Sequence, residues 1–137
     1  MTRSFRVVSP IVALCATVAL CVPVAAQSKT ASQFYMDYRT AFDRASKIDD
    51  VLPYMSKQRS DQVAATPADE RAKMFEMIKM MGAITDVMIL KEAKTAEGAT
   101  LTVEALDPDK KKTTGTVKVI KEGGAWKLDG ESWKSSS

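Results

Sequence analysis

The chain has 137 residues, enough for one domain with a modest core. Its 20 basic side chains slightly outnumber its 17 acidic ones, and two of the basic ones, Arg3 and Arg6, lie near the N-terminus. The remainder is close to neutral, so the composition does not favour a nucleic-acid-binding surface. The chain has no histidine, and its two cysteines are Cys15 and Cys21. Beyond residue 26 this excludes disulfides, thiol or imidazole catalysis and an ordinary zinc site.

The first 26 residues have the pattern of a secretory signal peptide. Arg3 and Arg6 precede an apolar run over residues 7–22, and Ala26 ends a Val-Ala-Ala cleavage signal. An uncleaved anchor is the alternative, but the run is shorter than the roughly 20 residues that span a bilayer. A lipid anchor is disfavoured because a leucine precedes each cysteine. We expect cleavage after Ala26 and an exported protein, periplasmic or secreted, without a stable membrane anchor.

The first half of the remaining chain predicts helices. From Ser32 to about Ser46, apolar residues recur at spacings of three and four, while charged residues such as Arg39 fall on the predicted solvated face. Residues 48–55 predict one or two helical turns ending near a proline, and residues 56–65 an irregular helix. Thr66 and Pro67 then begin a long helix that ends near Gly82.

After Gly82 the periodicity changes from helical to strand-like. A strand with the apolar run VMIL at its centre is predicted over residues 86–92, alternating segments cover 99–106 and 113–121, and a fourth contains Trp126 and Leu128. The Gly123-Gly124 pair suits a tight hairpin between the last two. We predict an α+β domain over residues 27–134, with N-terminal helices packed on a curved four-stranded antiparallel meander, followed by a disordered tail at 135–137.

Three segments carry a resemblance to a known superfamily: the aromatic first helix FYMDYRTAF, the short VLPYM segment and the closing hairpin GGAWKLDGESW. Together with the element order, they resemble small exported members of the nuclear transport factor 2-like superfamily, whose cone-shaped fold is shared with ketosteroid isomerase and polyketide cyclases. The resemblance covers nearly all of the chain after residue 26. It departs in two ways: no strand pair is evident between Ser46 and Thr66, and the histidine common in the superfamily's enzymes is absent.

The resemblance implies a cone with an apolar cavity, and we interpret the protein as a non-enzymatic binding module. Its ligand would be a small apolar molecule or a partner segment, with no cofactor and no metal. From the predicted facing of the side chains, the cavity is lined by Phe34, Tyr38, Phe42, Met77, Leu101 and Trp126.

An isomerase or cyclase-like enzyme is the alternative. Tyr35 or Tyr38 would donate a hydrogen bond to a developing oxyanion, and Asp49, Asp50 or Asp61 would be the base.

Methionines are concentrated on the helix that ends near Gly82. Met74, Met77 and Met81 share a face with Ile78, which predicts a core stripe, while Met80 lies off that face. A weak methionine-based Cu(I) site is the second alternative function.

A homodimer is a further expectation, since members of the superfamily often pair through the open face of the sheet. Ile120 and Trp133 are predicted on that face.

Overall fold

The computed structural model describes residues 28–135, so the predicted signal peptide and the last two residues of the predicted tail lie outside the described residues. Three helices come first: α1 (Ala31–Arg44), α2 (Lys57–Ala64) and α3 (Ala68–Met81). Two short 3-10 turns, Ile48–Asp50 and Leu52–Tyr54, connect α1 to α2. The strands follow as β1 (Thr85–Lys94), β2 (Gly98–Leu106), β3 (Lys112–Glu122) and β4 (Ala125–Ser135). Ser135 therefore ends a strand, although the sequence placed it in the tail.

Local signals set the ends of the helices. Thr30 caps α1 through a capping box with Gln33, which satisfies two backbone N–H groups that the helix leaves open. The Ser32 amide and hydroxyl both donate to the Glu92 carboxylate of β1, which joins this helix end to the sheet. α3 has Asp69 and Glu70 in its first turn, where acids complement the helix dipole. In the described residues, no helix has the length and apolar character needed to cross a bilayer.

The four strands form one antiparallel sheet in the order β1-β2-β3-β4, which confirms the predicted meander and the α+β class. Gly123 and Gly124 have φ values of 56° and 79° and connect β3 to β4. Two positive φ values in a two-residue loop match the twist of a hairpin, which is why glycine is suited to both positions. The core lies between α1 and the inner face of the sheet.

A β-bulge in β4 reverses the predicted facing of its second half. Val119 pairs with Leu128 but Lys118 pairs with Gly130, so Asp129 is an extra residue. One extra residue exchanges the two faces for every side chain beyond it. Glu131 therefore lies opposite Val117 on the inner face.

Trp133 is moved to the inner face by the same bulge, where it lies opposite Gly115. The prediction that Trp133 lies on the outer face is wrong. The homodimer stays a prediction. Of the two residues predicted on the outer face, only Ile120 lies there.

Two further predictions about facing are wrong. Arg39 is only 5% exposed, although its charge suggested a solvated position. On α3, Met77 and Met81 are 56% and 71% exposed, because Phe75 and Ile78 occupy the side of the helix that packs on the core. Met74, of the same predicted stripe, packs against the core beside them.

Candidate functional site

A cavity of about 510 Å³ lies between the helices and the second half of β4. Its wall is mainly apolar, with side chains from α1, the 3-10 turns, α3 and β4. These include Phe42, Ile48, Val51, Met55, Phe75 and Leu128. Four polar side chains also line it: Tyr38, Arg39, Arg59 and Glu131. The volume falls in the range of pockets that enclose small molecules, about 300–1,000 Å³.

Glu131 is held in the cavity wall through one carboxylate oxygen. Oε1 accepts hydrogen bonds from the Tyr35 hydroxyl at 3.0 Å and from the Trp133 indole Nε1 at 2.7 Å. The closest approach of the Arg39 guanidinium, Nη1 at 3.6 Å, is also to Oε1. The Glu131 side chain is 14% exposed. Two hydrogen bonds and one ion-pair contact on the same oxygen fix the orientation of this carboxylate.

Arg39 connects the carboxylate to the end of α3. Its Nη2 donates to the Gly82 carbonyl at 3.2 Å, and the guanidinium stacks on Phe42 with 5.0 Å between Cζ and the ring centroid. Its Nε is buried and has no hydrogen-bond partner among residues 28–135. A buried donor without a partner costs about 1–3 kcal/mol. The described residues therefore leave one hydrogen-bond donor of Arg39 unpaired at this end of the cavity.

Two tyrosine hydroxyls lie at the same polar end. Burial, followed by the negative charge of Glu131, raises the pKa of both Tyr35 and Tyr38 above the usual tyrosine range. Both are therefore neutral hydrogen-bond donors at neutral pH. Tyr35 uses its hydroxyl on Glu131, whereas the Tyr38 hydroxyl makes no hydrogen bond within the described chain.

Arg59 lies beside the bulge because the start of α2 is attached to the β3-β4 hairpin. The Ser56 amide donates to the Leu128 carbonyl at 2.8 Å, and the Lys57 amide donates to the Glu122 carboxylate at 3.0 Å. From this helix, Arg59 Nη1 donates to the carbonyl of the bulged Asp129 at 3.3 Å. Lys118 first, and Arg59 to a smaller extent, lower the pKa of the Asp129 carboxyl, so Arg59 also interacts with this acid.

The structure places the predicted cavity residues in several locations. Tyr38 and Phe42 line the cavity. Phe34 and Leu101 are buried in the core but are not part of the cavity wall. Trp126 lies at the hairpin end, where its indole Nε1 donates to the Lys29 carbonyl at 2.7 Å. Met77 is on the exposed side of α3.

The three aspartates predicted as possible bases do not line the cavity. Asp49 pairs with Arg71 at 3.1 Å, and Asp61 pairs with Lys57 at 2.6 Å. Asp50 accepts the Ser46 and Lys47 amides and so stabilises the first 3-10 turn. In the part of the chain that the structure describes, the acidic residue of the cavity is Glu131.

Between positions 28 and 135, no three histidine, cysteine or acidic side chains come together as a potential metal site.

Sequence reasoning missed Glu131, Arg39 and Arg59. For Arg39 a signal existed, because it lies four residues after Tyr35 and three before Phe42, on their side of α1. The inward position of Glu131 depends on the bulge at Asp129, for which the sequence has no clear marker. The position of Arg59 in the cavity wall depends on how α2 docks against β4.

Comparisons of the chain with protein-family models, with curated proteins and with solved structures gave no match. The fold is a small α+β domain, and a mainly apolar, partly open cavity with a polar end built on Glu131 lies between its helices and β4.

Proposed function

We propose that this protein is an exported, non-enzymatic binding module that holds a small, largely apolar molecule in the cavity. The observation that carries the proposal is the cavity itself, about 510 Å³ in volume and lined mainly by buried apolar side chains. Apolar walls gain free energy when a ligand displaces water from them, about 25 cal/mol for each Å² covered. A few fixed polar groups at one end orient such a ligand.

The proposal includes the nuclear transport factor 2-like cone. Two features support it: helices precede a single antiparallel meander, and bulges occur in the β1-β2 and β3-β4 pairs. Bulges bend strands, and a bent sheet can wrap around a cavity. A partner segment is the other occupant that this function allows.

The test is a titration with 2-methylnaphthalene, followed by NMR. The Trp133 indole N–H reports on the cavity, since Trp133 lines it. The Trp126 indole is an internal control because it lies at the hairpin end, outside the cavity wall. We expect the Trp133 signal to shift in a saturable manner while the Trp126 signal stays in place.

Two variants of α3 complete this test. Ile78→Trp fills the cavity, and Met77→Trp adds the same ring on the exposed side of the same helix. We expect Ile78→Trp to weaken binding by about tenfold or more and Met77→Trp to leave it unchanged. Equal binding by both variants, or no shift at Trp133 in the wild type, would refute a cavity ligand.

An enzyme is the second candidate, and one observation favours it: Glu131 and the Tyr38 hydroxyl line the same cavity. A carboxylate base beside a neutral donor can transfer a proton at a carbon next to a carbonyl. The proton passes from carbon to Glu131, while Tyr38 donates a hydrogen bond to the enolate oxygen. Deuterium exchange into the α-carbon of a cyclic ketone in D₂O measures this reaction. If the wild type and a Glu131→Gln variant exchange deuterium at the same rate, this reaction is ruled out.

A further inference from the structure

The two oxygens of the Glu131 carboxylate have different environments. The hydrogen bonds from Tyr35 and Trp133 and the closest approach of Arg39 are all to Oε1. Oε2 receives no hydrogen bond within residues 28–135. It is also not one of the buried atoms without a partner, which in these residues are the Nε atoms of Arg39 and Arg71. Oε2 is therefore not completely buried, and Glu131, which carries it, lines the cavity.

This arrangement is suited to accept a hydrogen bond from a ligand. The donors on Oε1 hold the carboxylate in one orientation, so a ligand does not have to order it. A carboxylate oxygen accepts stronger hydrogen bonds than a neutral oxygen does. An entirely apolar ligand would bury Oε2 without a partner, which is unfavourable.

The charges around the cavity select the type of donor. Arg39 and Arg59 line the cavity with Glu131. Arg39 lies 3.6 Å from the Glu131 carboxylate. Arg39 also lies 3.6 Å from the Asp43 carboxylate and Arg59 interacts with Asp129, so positive and negative charges around this end nearly balance. A charged group on the ligand would disturb this balance, whereas a neutral hydroxyl would not.

From these observations we propose that the ligand is an apolar molecule bearing a hydroxyl group, which donates a hydrogen bond to Glu131 Oε2. The Tyr38 hydroxyl, at the same end of the cavity, donates a second hydrogen bond to the ligand oxygen. This inference rests on the proposed function, because it assigns a ligand class to the same cavity.

The experiment compares three probes with one ring system: 2-naphthol, 2-methylnaphthalene and 2-naphthoate. The hydroxyl and the methyl group are similar in size, so the first two differ mainly in the hydrogen bond. We expect 2-naphthol to bind the wild-type protein about tenfold tighter or better than 2-methylnaphthalene, as measured by calorimetry. Equal or weaker binding of 2-naphthol would overturn the inference.

Variants then locate the effect. Glu131→Gln keeps an oxygen that can accept from Tyr35 and Trp133, so we expect a folded protein in which the advantage of 2-naphthol is largely lost. Glu104→Gln is the matched control, since Glu104 is an acid of β2 that pairs with Lys112 outside the cavity. It should keep the full advantage. If Glu131→Gln also keeps it, Glu131 is not the acceptor and the inference fails.

The remaining outcomes separate the two proposals. Binding of 2-methylnaphthalene without an advantage for 2-naphthol refutes the hydroxyl inference and leaves the cavity function standing. If 2-naphthoate binds tighter than 2-naphthol, Arg39 and Arg59 recognise the ligand in place of Glu131, which also refutes it. If none of the probes binds, the proposed function fails and the inference fails with it.

Discussion

At the scale of single residues, Arg39 and Glu131 form the least replaceable pair. Both lie at the polar end of the cavity, and each compensates part of the other's charge while both side chains are largely buried. A buried pair of this kind adds little net stability compared with apolar residues, but breaking it leaves one charge without a partner.

We therefore expect Arg39→Met to lower the free energy of unfolding by about 3 kcal/mol, because Glu131 loses its nearest cation. Urea unfolding measures the change. Arg44→Met is the control, since Arg44 is exposed at the end of the same helix. It should change stability by less than about 0.5 kcal/mol. If both variants have similar stability, the pair is not a structural requirement of the cavity.

At the scale of elements, the β3-β4 pair determines the shape of the cavity. The bulge turns Glu131 and Trp133 inward, and Gly115 on β3 leaves room for the Trp133 ring. A Cβ atom at position 115 would lie 2.8 Å from Cε3 of that ring. The absence of a side chain at Gly115 is thus matched to a large side chain on the neighbouring strand.

Gly115→Ala should therefore destabilise the protein by about 1–3 kcal/mol, the usual cost of overpacking. We also expect the fluorescence of Trp133 to change as its ring moves. Gly130→Ala on β4 is the matched control, because its Cβ would meet Lys118 Cβ at 3.8 Å, an ordinary contact. Thermal unfolding of the two variants, compared with the wild type, measures the change in stability, and their emission spectra measure the change in fluorescence. Equal stability of the two would contradict the proposed packing of Trp133.

At the scale of the whole molecule, the two buried tyrosines link stability to alkaline pH. The pKa values of Tyr35 and Tyr38 are raised in the folded protein, first by burial and then by the charge of Glu131. In the unfolded chain, tyrosine loses its proton near pH 10. Above about pH 10 the folded state binds more protons than the unfolded state, so stability must fall as pH rises. Below that pH the contribution of both tyrosines is fully present.

Urea unfolding between about pH 8 and pH 11 should show this loss beginning near pH 10. Tyr35→Phe removes one of the two groups, so its stability should fall less steeply over the same range. The pKa values of three exposed lysines are also raised in the folded protein, because a hydrogen bond to an aspartate favours the protonated lysine. This effect acts in the same direction and involves Lys29, Lys57 and Lys118. Added salt screens those surface pairs but not the buried tyrosines. Parallel pH profiles for the wild type and Tyr35→Phe in high salt would contradict the assignment.

The sequence by itself was sufficient for the features that depend on neighbouring residues. The alternation in β2 and β3 and the Gly123-Gly124 pair between β3 and β4 act over a few residues. Side-chain alternation and positive φ values are local, so they can be recognised without the tertiary structure. The order of elements and the α+β class follow from them.

Only the tertiary structure decided the contents of the cavity. Tyr38 and Phe42 were predicted to line it, but Glu131 and Arg59 were not, and Met77 lies on the solvent side. Glu131 faces inward because of one extra residue in β4, and it is accommodated there because Tyr35, Arg39 and Trp133 come from positions far apart in the chain. A charged residue has no intrinsic preference for the interior, so its burial depends on partners that only the completed fold brings together.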